Sequence, residues 1–422
     1  MKINALRALG HRNFRLFFCG QSLSLIGTWM TRLATSWLVY RLTGSSLLLG
    51  VISFAGQIPT FLLGPVAGVW VDRWQRRRAL LVTQLLAALQ SLMLAALTLS
   101  GHITIAEIIW LSVFQGLINA FDMPARQSFL VQMVEGRTDL SNAIALNSTM
   151  VNGARLLGPA LAGILIAAVG EGACFLIDGL SYFAVIASLL AMRVEAHPPA
   201  RSTASLFDQV KEGWTYVSTF TPIRTVLLSF AIVSFMGVPY TVLMPVFATR
   251  ILHGGPHTLG FLMGAAGVGS VIAALSLAAR KSVRGLYRVI PVVAAVFSGG
   301  LTAFSFSRNY WLSLALMVVT GFGMMQFTAA SNTVIQTIVE DDKRGRVMSY
   351  YMMAYMGASP FGSLLAGSLA PLIGAPGTVL LCGIGCLAGA AWFWFQLPKL
   401  RPVIRPIYQR LGILPVVPDV ET

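Results

Sequence analysis

The feature that most constrains this chain is the regular return of apolar runs long enough to cross a bilayer. A membrane span needs roughly 20 apolar residues. Reading on that length gives twelve: 16–39, 47–71, 80–99, 105–121, 144–169, 174–191, 225–247, 259–279, 289–306, 311–328, 347–373 and 377–395. Hydrocarbon offers no water to an unpaired backbone group, so such segments fold as helices whose hydrogen bonds are internal. Only 11% of the residues are charged, against about 25% in soluble chains. The expectation is an all-α integral membrane protein with twelve transmembrane helices. The fourth and tenth runs are short as drawn and should extend into the polar stretches around Arg126 and Asn332. The first run exceeds the roughly 7–15 apolar residues of a signal peptide, so it reads as a span.

The net charge of +15 could point to nucleic acid. Its distribution argues instead for membrane topology. Arg41, Arg250 and Arg308 are the only Lys or Arg in loops on one side, and Arg32 and Arg155 fall inside spans. The remaining Lys and Arg lie in the termini and loops of the other side. Positive residues stay cytoplasmic, so both termini are inside and the number of spans is even. Anionic lipid headgroups are the partners this pattern implies, and nucleic acid is not. The longest polar interval, 193–224, contains Leu206 to Trp214, which reads as an amphipathic helix on the inner surface. It separates a six-helix half, 1–192, from a second, 225–397, and a cytoplasmic tail follows over 398–422. Gln132 to Glu135 before span five has an echo in Gln336 to Glu340 before span eleven, and Gly158-Pro159 has one in Ser359-Pro360. An offset near half the chain is what two parallel repeats leave behind.

Charges next to or inside the spans carry the sharpest clues. Span two ends on Asp72 and Arg73, and a basic turn with Arg76, Arg77 and Arg78 leads into span three. A carboxylate at the C-terminal end of a helix faces the wrong pole of the dipole and needs another partner. The hairpin therefore reads as a conformational latch, with Asp122 at the inner end of span four expected to pair with its arginines. Arg155 lies roughly 16 Å into span five, too deep to reach water easily. It is either a gating or substrate residue or half of a static ion pair. Arg32 carries the same two readings. Asp178, four residues inside span six, is either a proton- or ion-coupling group or a structural one. Gly158, Pro159 and Gly163 share span five with Arg155; proline frees a carbonyl and bends the helix, and small residues let helices approach closely.

No enzyme constellation appears, and no phosphate-binding loop of the Gly-x-x-x-x-Gly-Lys-Ser/Thr type. No cofactor or metal is expected. His253 and His257 flank Gly254-Gly255-Pro256, which breaks any helical pairing of the two. Cys19, Cys174, Cys382 and Cys386 all lie in apolar segments without metal-ligand spacing.

Gly68, Asp72, Arg73, Arg76 and Arg77, at their spacing after the second span, resemble the loop between helices 2 and 3 of the major facilitator superfamily, with Gln75 where that family usually has glycine. Gly158-Pro159 with Gly163 resembles the antiporter motif of its exporters, with Ala154 and Ala162 replacing two glycines. Asn13 to Phe17, Trp37 to Ser45, Ala120 to Arg126, Ser141 to Ser148 and Arg155 to Gly163 resemble the bacterial efflux branch that includes enterobactin exporters and macrolide efflux proteins. The resemblance implies two pseudo-symmetric halves and a monomer of the bacterial inner membrane that works by alternating access. It further implies outward transport of a small molecule, a siderophore or drug-like compound, driven by protons. In that fold spans one, four, seven and ten line the cavity, which makes Arg32, Gln115, Asn119 and Gln326 cavity candidates. Trp29, Phe114, Phe230, Phe235, Phe322 and Phe327 join them on the same faces. A uniporter or importer, or a non-transporting sensor or lipid-handling protein, is the competing expectation.

Overall fold

The computed structural model describes residues 6–134, 136–193, 206–280, 282–340 and 343–415, without the side chains of 65, 68, 69, 72, 73, 137, 138 and 206–211. The described chain is helical throughout. In order, α1 is Arg12–Thr43, α2 Ser46–Arg73, α3 Arg76–Leu99, α4 Ile105–Leu130, α5 Arg137–Val169 and α6 Glu171–Ala191. Then come α7 Leu206–Thr219, α8 Thr221–Met236, α9 Tyr240–Val246, α10 Pro256–Ala278, α11 Leu286–Phe306, α12 Tyr310–Ile338 and α13 Arg344–Arg410.

Among the described residues, ten segments are long and apolar enough to cross a membrane. One of them is α13, whose 67 residues turn back at Gly374, where φ is +77°. Only glycine takes that conformation without strain, so Gly374-Ala375-Pro376 makes a hairpin between two crossings. With α1, whose polar residues (among them Gln21, Thr28 and Arg32) lower its mean hydropathy, the crossings among the described residues number twelve. The fourth and tenth spans do run on into their polar stretches, to Leu130 and Ile338. Span seven differs from its expectation of one continuous helix. Gly237-Val238-Pro239 interrupts it between α8 and α9, and a π-helical turn over Phe247–Ile251 ends it. Proline supplies no N–H to the preceding turn, which accounts for the break.

Lipid-facing surface is apolar, with Trp110 and Trp311 exposed near the outer ends and Trp70, Trp394 and Phe395 near the inner ends. Aromatic rings at the two interfaces anchor the depth of such a bundle. The amphipathic α7 is present and docks on α13: Glu212 pairs with Arg346 at 2.5 Å, and Trp214 lies 5.9 Å from the Tyr350 ring.

The two halves meet chiefly along α2 with α13 and α5 with α10. The outer ends of both seams are built from facing glycines. A Cβ on Gly163 would stand 2.7 Å from the Pro256 carbonyl oxygen and 2.8 Å from Gly260 Cα. A Cβ on Gly367 would stand 2.7 Å from the Ser46 carbonyl oxygen and 2.9 Å from Gly50 Cα. These are backbone atoms well inside van der Waals contact, so no side chain fits. The partners of the two seams are roughly 205 residues apart, about half the chain, as parallel repeats require. Nearby, Arg250 from the second half donates to the Gly44 carbonyl at 3.4 Å and sits 5.9 Å from the Tyr40 ring. Among the described residues α4 and α12 are not a close pair across the halves. The facing-glycine contacts between the halves lie towards the outer ends.

These contacts make a prediction. Gly163→Val and Gly367→Val each force the outer ends apart while leaving the inner ends untouched. Spin labels placed across the outer ends should report a longer mean separation in either variant than in the parent. An unchanged distance distribution would show that the glycine contacts do not set the closed state.

Candidate transport site

The centre of the first half is organised by α1 against α5 and α6. Gly158 of α5 lies on α1, where a Cβ would stand 3.0 Å from the Ile26 carbonyl oxygen and would overlap Trp29. Pro159 follows, and its missing N–H leaves the Arg155 carbonyl without its usual donor. One turn before Gly158, Arg155 reaches towards the same tryptophan. Its guanidinium carbon is 5.7 Å from the Trp29 ring centroid, and that of Arg32 is 4.9 Å from it. Cation–π attraction of roughly 0.5–2 kcal/mol per contact offsets part of the repulsion between two like charges.

Neither arginine makes an ion pair with a carboxylate among the described residues. Arg32 has open surface, yet Tyr355, Tyr182, Arg155 and Asp178 are all within its electrostatic reach. Arg32 thus keeps exposed surface beside these groups. Tyr240 of α9 and Tyr355 of α13 bring the second half to the same place, since Tyr240 senses both Arg155 and Tyr355. The site thus spans both halves. Tyr240 follows the Gly237–Pro239 break, is 3% exposed, and its ring lies 6.4 Å from that of Phe297.

Asp178 lies just behind this group, 1% exposed. Ser91 of α3 donates to its Oδ2 at 2.8 Å, while Oδ1 has no hydrogen-bond partner. Gly27 of α1 is pressed onto it, with room for no side chain: a Cβ would stand 2.7 Å from Oδ1. An unpaired oxygen on a buried carboxyl is costly.

The other candidates divide. Asp122 does not pair with the hairpin arginines that lie within the described side chains. It is held by Arg126 one turn on, with Thr83 and Gln84 of α3 donating at 2.9 and 2.7 Å. The extension of α4 to Leu130 places Arg126 on the same face as Asp122, and that proximity decides the partner. Arg76 donates to the Ser128 carbonyl at 3.4 Å and Arg77 to that of Leu190 at 2.9 Å. The side chains of Asp72 and Arg73, and the surroundings of Gly68, lie outside the described residues. Gln326 is not at this site: it is buried and donates to Ser276 of α10, so the pair ties two helices of one half. Gln115 and Asn119 are half-buried on α4 and bond to each other at 3.2 Å, leaving Gln115 Oε1 unpaired. Phe230 and Phe327 line nothing either. They stack at 5.6 Å inside the second half, with Tyr351 4.4 Å from Phe230. Tyr240 and Tyr355 were not among the sequence candidates. The signals for them were the Gly-x-Pro break before Tyr240 and the i, i+4 spacing of Tyr351 and Tyr355. Among the described residues, no group of three or more His, Cys, Asp or Glu is placed to hold a metal.

With this geometry in place, comparison with known proteins is direct. The family of transmembrane secretion effectors matches the chain over residues 3–404. This chain belongs to that family, a branch of the major facilitator superfamily. The family's members are transporters, not enzymes. The staphyloferrin A transporter of Staphylococcus aureus is 26% identical over 92% of this chain and 97% of its own length. The multidrug efflux pump Tap of Mycolicibacterium fortuitum is 29% identical over 89% of this chain and 93% of its own. Among solved structures, a bacterial homologue of the human lysosomal transporter Spinster, inward-facing and unoccupied, superposes with a TM-score of 0.69 at 13% identity. That match covers 94% of this chain and 97% of the other, and it shows the shared fold.

The ties around Asp122 generate a stability prediction for this secretion effector. Asp122→Ala leaves Arg126 and two buried donors without their acceptor, which costs roughly 3 kcal/mol, the lower end for a broken buried pair because Arg126 keeps some open surface. Asp122→Asn keeps an acceptor oxygen and should cost less. Thermal unfolding in detergent checks the order; equal melting temperatures for parent and Asp122→Ala would contradict it.

Proposed function

We propose that this transporter exports a bulky, partly aromatic, anionic small molecule across the bacterial inner membrane by alternating access. We further propose that it is an antiporter coupled to proton entry and works as a monomer. The observation that carries the reading is the placement of Arg32 and Arg155 on Trp29 without a carboxylate partner among the described residues. Two unneutralised guanidiniums in low dielectric attract an anion strongly. The Trp29 ring and the Tyr240 and Tyr355 phenols suit an aromatic acid or a polycarboxylate better than a neutral sugar. Siderophores and drug-like acids fall in this class, and relatives of similar sequence are named for a siderophore and for drugs.

Asp178 is proposed as the coupling carboxyl. Protonated, it is neutral and tolerable in its buried site; ionised, it is within electrostatic reach of Arg32. For antiport, Asp178 takes up the proton from outside after cargo leaves and releases it inside before the next cargo loads, so proton and cargo cross in opposite directions. The 68–77 hairpin is proposed as a latch between states, and the Gly158, Pro159 and Gly163 helix as the moving seam. The division at 193–224 is proposed as the boundary between halves that rock as units, with 398–422 as a cytoplasmic tail.

Everted membrane vesicles test this. With an imposed proton gradient, uptake of an anionic aromatic probe should be gradient-dependent in the parent. Asp178→Asn should abolish the gradient dependence while probe binding persists. Arg32→Gln and Arg155→Gln should each weaken binding by roughly tenfold, the size of one lost charge-assisted contact. Gradient-dependent uptake retained by Asp178→Asn would remove the coupling role from Asp178, and uptake independent of the gradient in the parent would favour the uniporter reading.

A further inference from the structure

A second charged pocket lies on the inner side of the second half, away from Arg32 and Arg155. It is a cavity of about 300 Å³ between the α10–α11 hairpin and the end of α13. Arg284 and Arg288 come from the hairpin, and Arg401 and Arg405 from the last turns of α13. Among the described residues no acidic side chain lines it. All four arginines are exposed, and none is in an ion pair among the described residues.

The local sequence builds this arrangement. Gly285, at φ +73°, makes the tight turn that carries Arg284 and Arg288 on either side of it. Arg401 and Arg405 are four apart on one helix and so share a face. The floor is aromatic: Tyr287 and Tyr408 meet edge to face at 6.4 Å. Tyr408 is 1% exposed, lines the cavity, and its hydroxyl has no hydrogen-bond partner. A buried phenol is normally paired. The chain then folds back, with the amides of Ile413 and Leu414 donating to the Tyr408 carbonyl at 2.8 and 3.1 Å, and Leu414 and Pro415 form a wall.

We infer that this pocket holds the phosphate of an anionic phospholipid from the inner leaflet, clasped by the four arginines and hydrogen-bonded by the Tyr408 hydroxyl. Guanidinium forks match the geometry of phosphate oxygens. The phenol donor completes the set by giving a proton to an oxygen the arginines leave free. The position fits a lipid better than a free phosphate. Trp394 and Phe395, exposed on the same helix, lie roughly 9 Å before Arg401 at 1.5 Å per residue and offer an apolar surface to acyl chains. Basic pockets at the cytoplasmic ends of helices are suited to such headgroups. A lipid held there would fasten the end of α13 to the α10–α11 hairpin within the second half.

The test uses the full chain in nanodiscs of phosphatidylcholine with a minor share of phosphatidylglycerol. Native mass spectrometry counts the phosphatidylglycerol that survives detergent stripping. The parent should retain it; Arg401→Gln/Arg405→Gln should retain it about tenfold less, and Tyr408→Phe should fall between. Arg12→Gln/Arg15→Gln removes the same charge from the inner end of α1 and should retain lipid as the parent does. Probe binding at the transport site confirms that each variant is folded. Equal losses in both double variants would reduce the effect to bulk electrostatics and overturn the site. A thermal shift from inorganic phosphate alone matching that from phosphatidylglycerol, and lost in Arg401→Gln/Arg405→Gln, would overturn the lipid as the occupant.

Discussion

Everything here depends on one constraint of the bilayer: a backbone hydrogen bond given up in hydrocarbon is costly. Apart from the proline sites in α5 and span seven the helices stay intact, so motion is built chiefly from contacts between helices, and those contacts must be able to part and reform. Facing glycines at Gly50–Gly367 and Gly163–Gly260 meet this requirement. They let backbones touch, which gives dispersion contact over a smooth surface with no interlocked side chains to pull free. The repeat of the same contact in both halves gives the outer seal its symmetry.

The same constraint explains where the polar groups sit. Asp122 and Gln326 are fully used by neighbouring helices and hold each half rigid. Arg32 and Arg155 share Trp29 without an ion pair among the described residues, and one oxygen of Asp178, packed behind them between α1, α3 and α6, has no partner. A rigid half with an unsatisfied face towards the other half is what a binding site between rocking bodies needs. The outer ends carry their own polar ties: Arg41 pairs with Glu171 at 2.7 Å within the first half, and Arg250 reaches across to Gly44.

Much of the fold was legible because span length and charge asymmetry are direct consequences of bilayer thickness and topology. The turn at Gly374 and the extension of α4 past Pro124 follow from the same reading. The break in span seven was visible as Gly237-Val238-Pro239, but apolar length outweighed it in a reading based on hydropathy. The site was half legible. Arg32, Arg155 and Asp178 stand out because charge is expensive in a span, whereas Tyr240 and Tyr355 are unremarkable in sequence and gain meaning only from the opposing half. Asp122 pairs with Arg126 and not with Arg76, Arg77 or Arg78, because a partner one helical turn away is closer in space than residues that look close in topology.

The most direct test of the central claim compares cells carrying the parent gene with cells carrying Arg32→Gln/Arg155→Gln, grown iron-poor and iron-rich, by mass spectrometry of spent medium and cell extracts. The account predicts an anionic, aromatic or polycarboxylate metabolite that leaves the medium and accumulates in the cells of the double variant. Identical spent media and extracts would contradict export through the twin-arginine site.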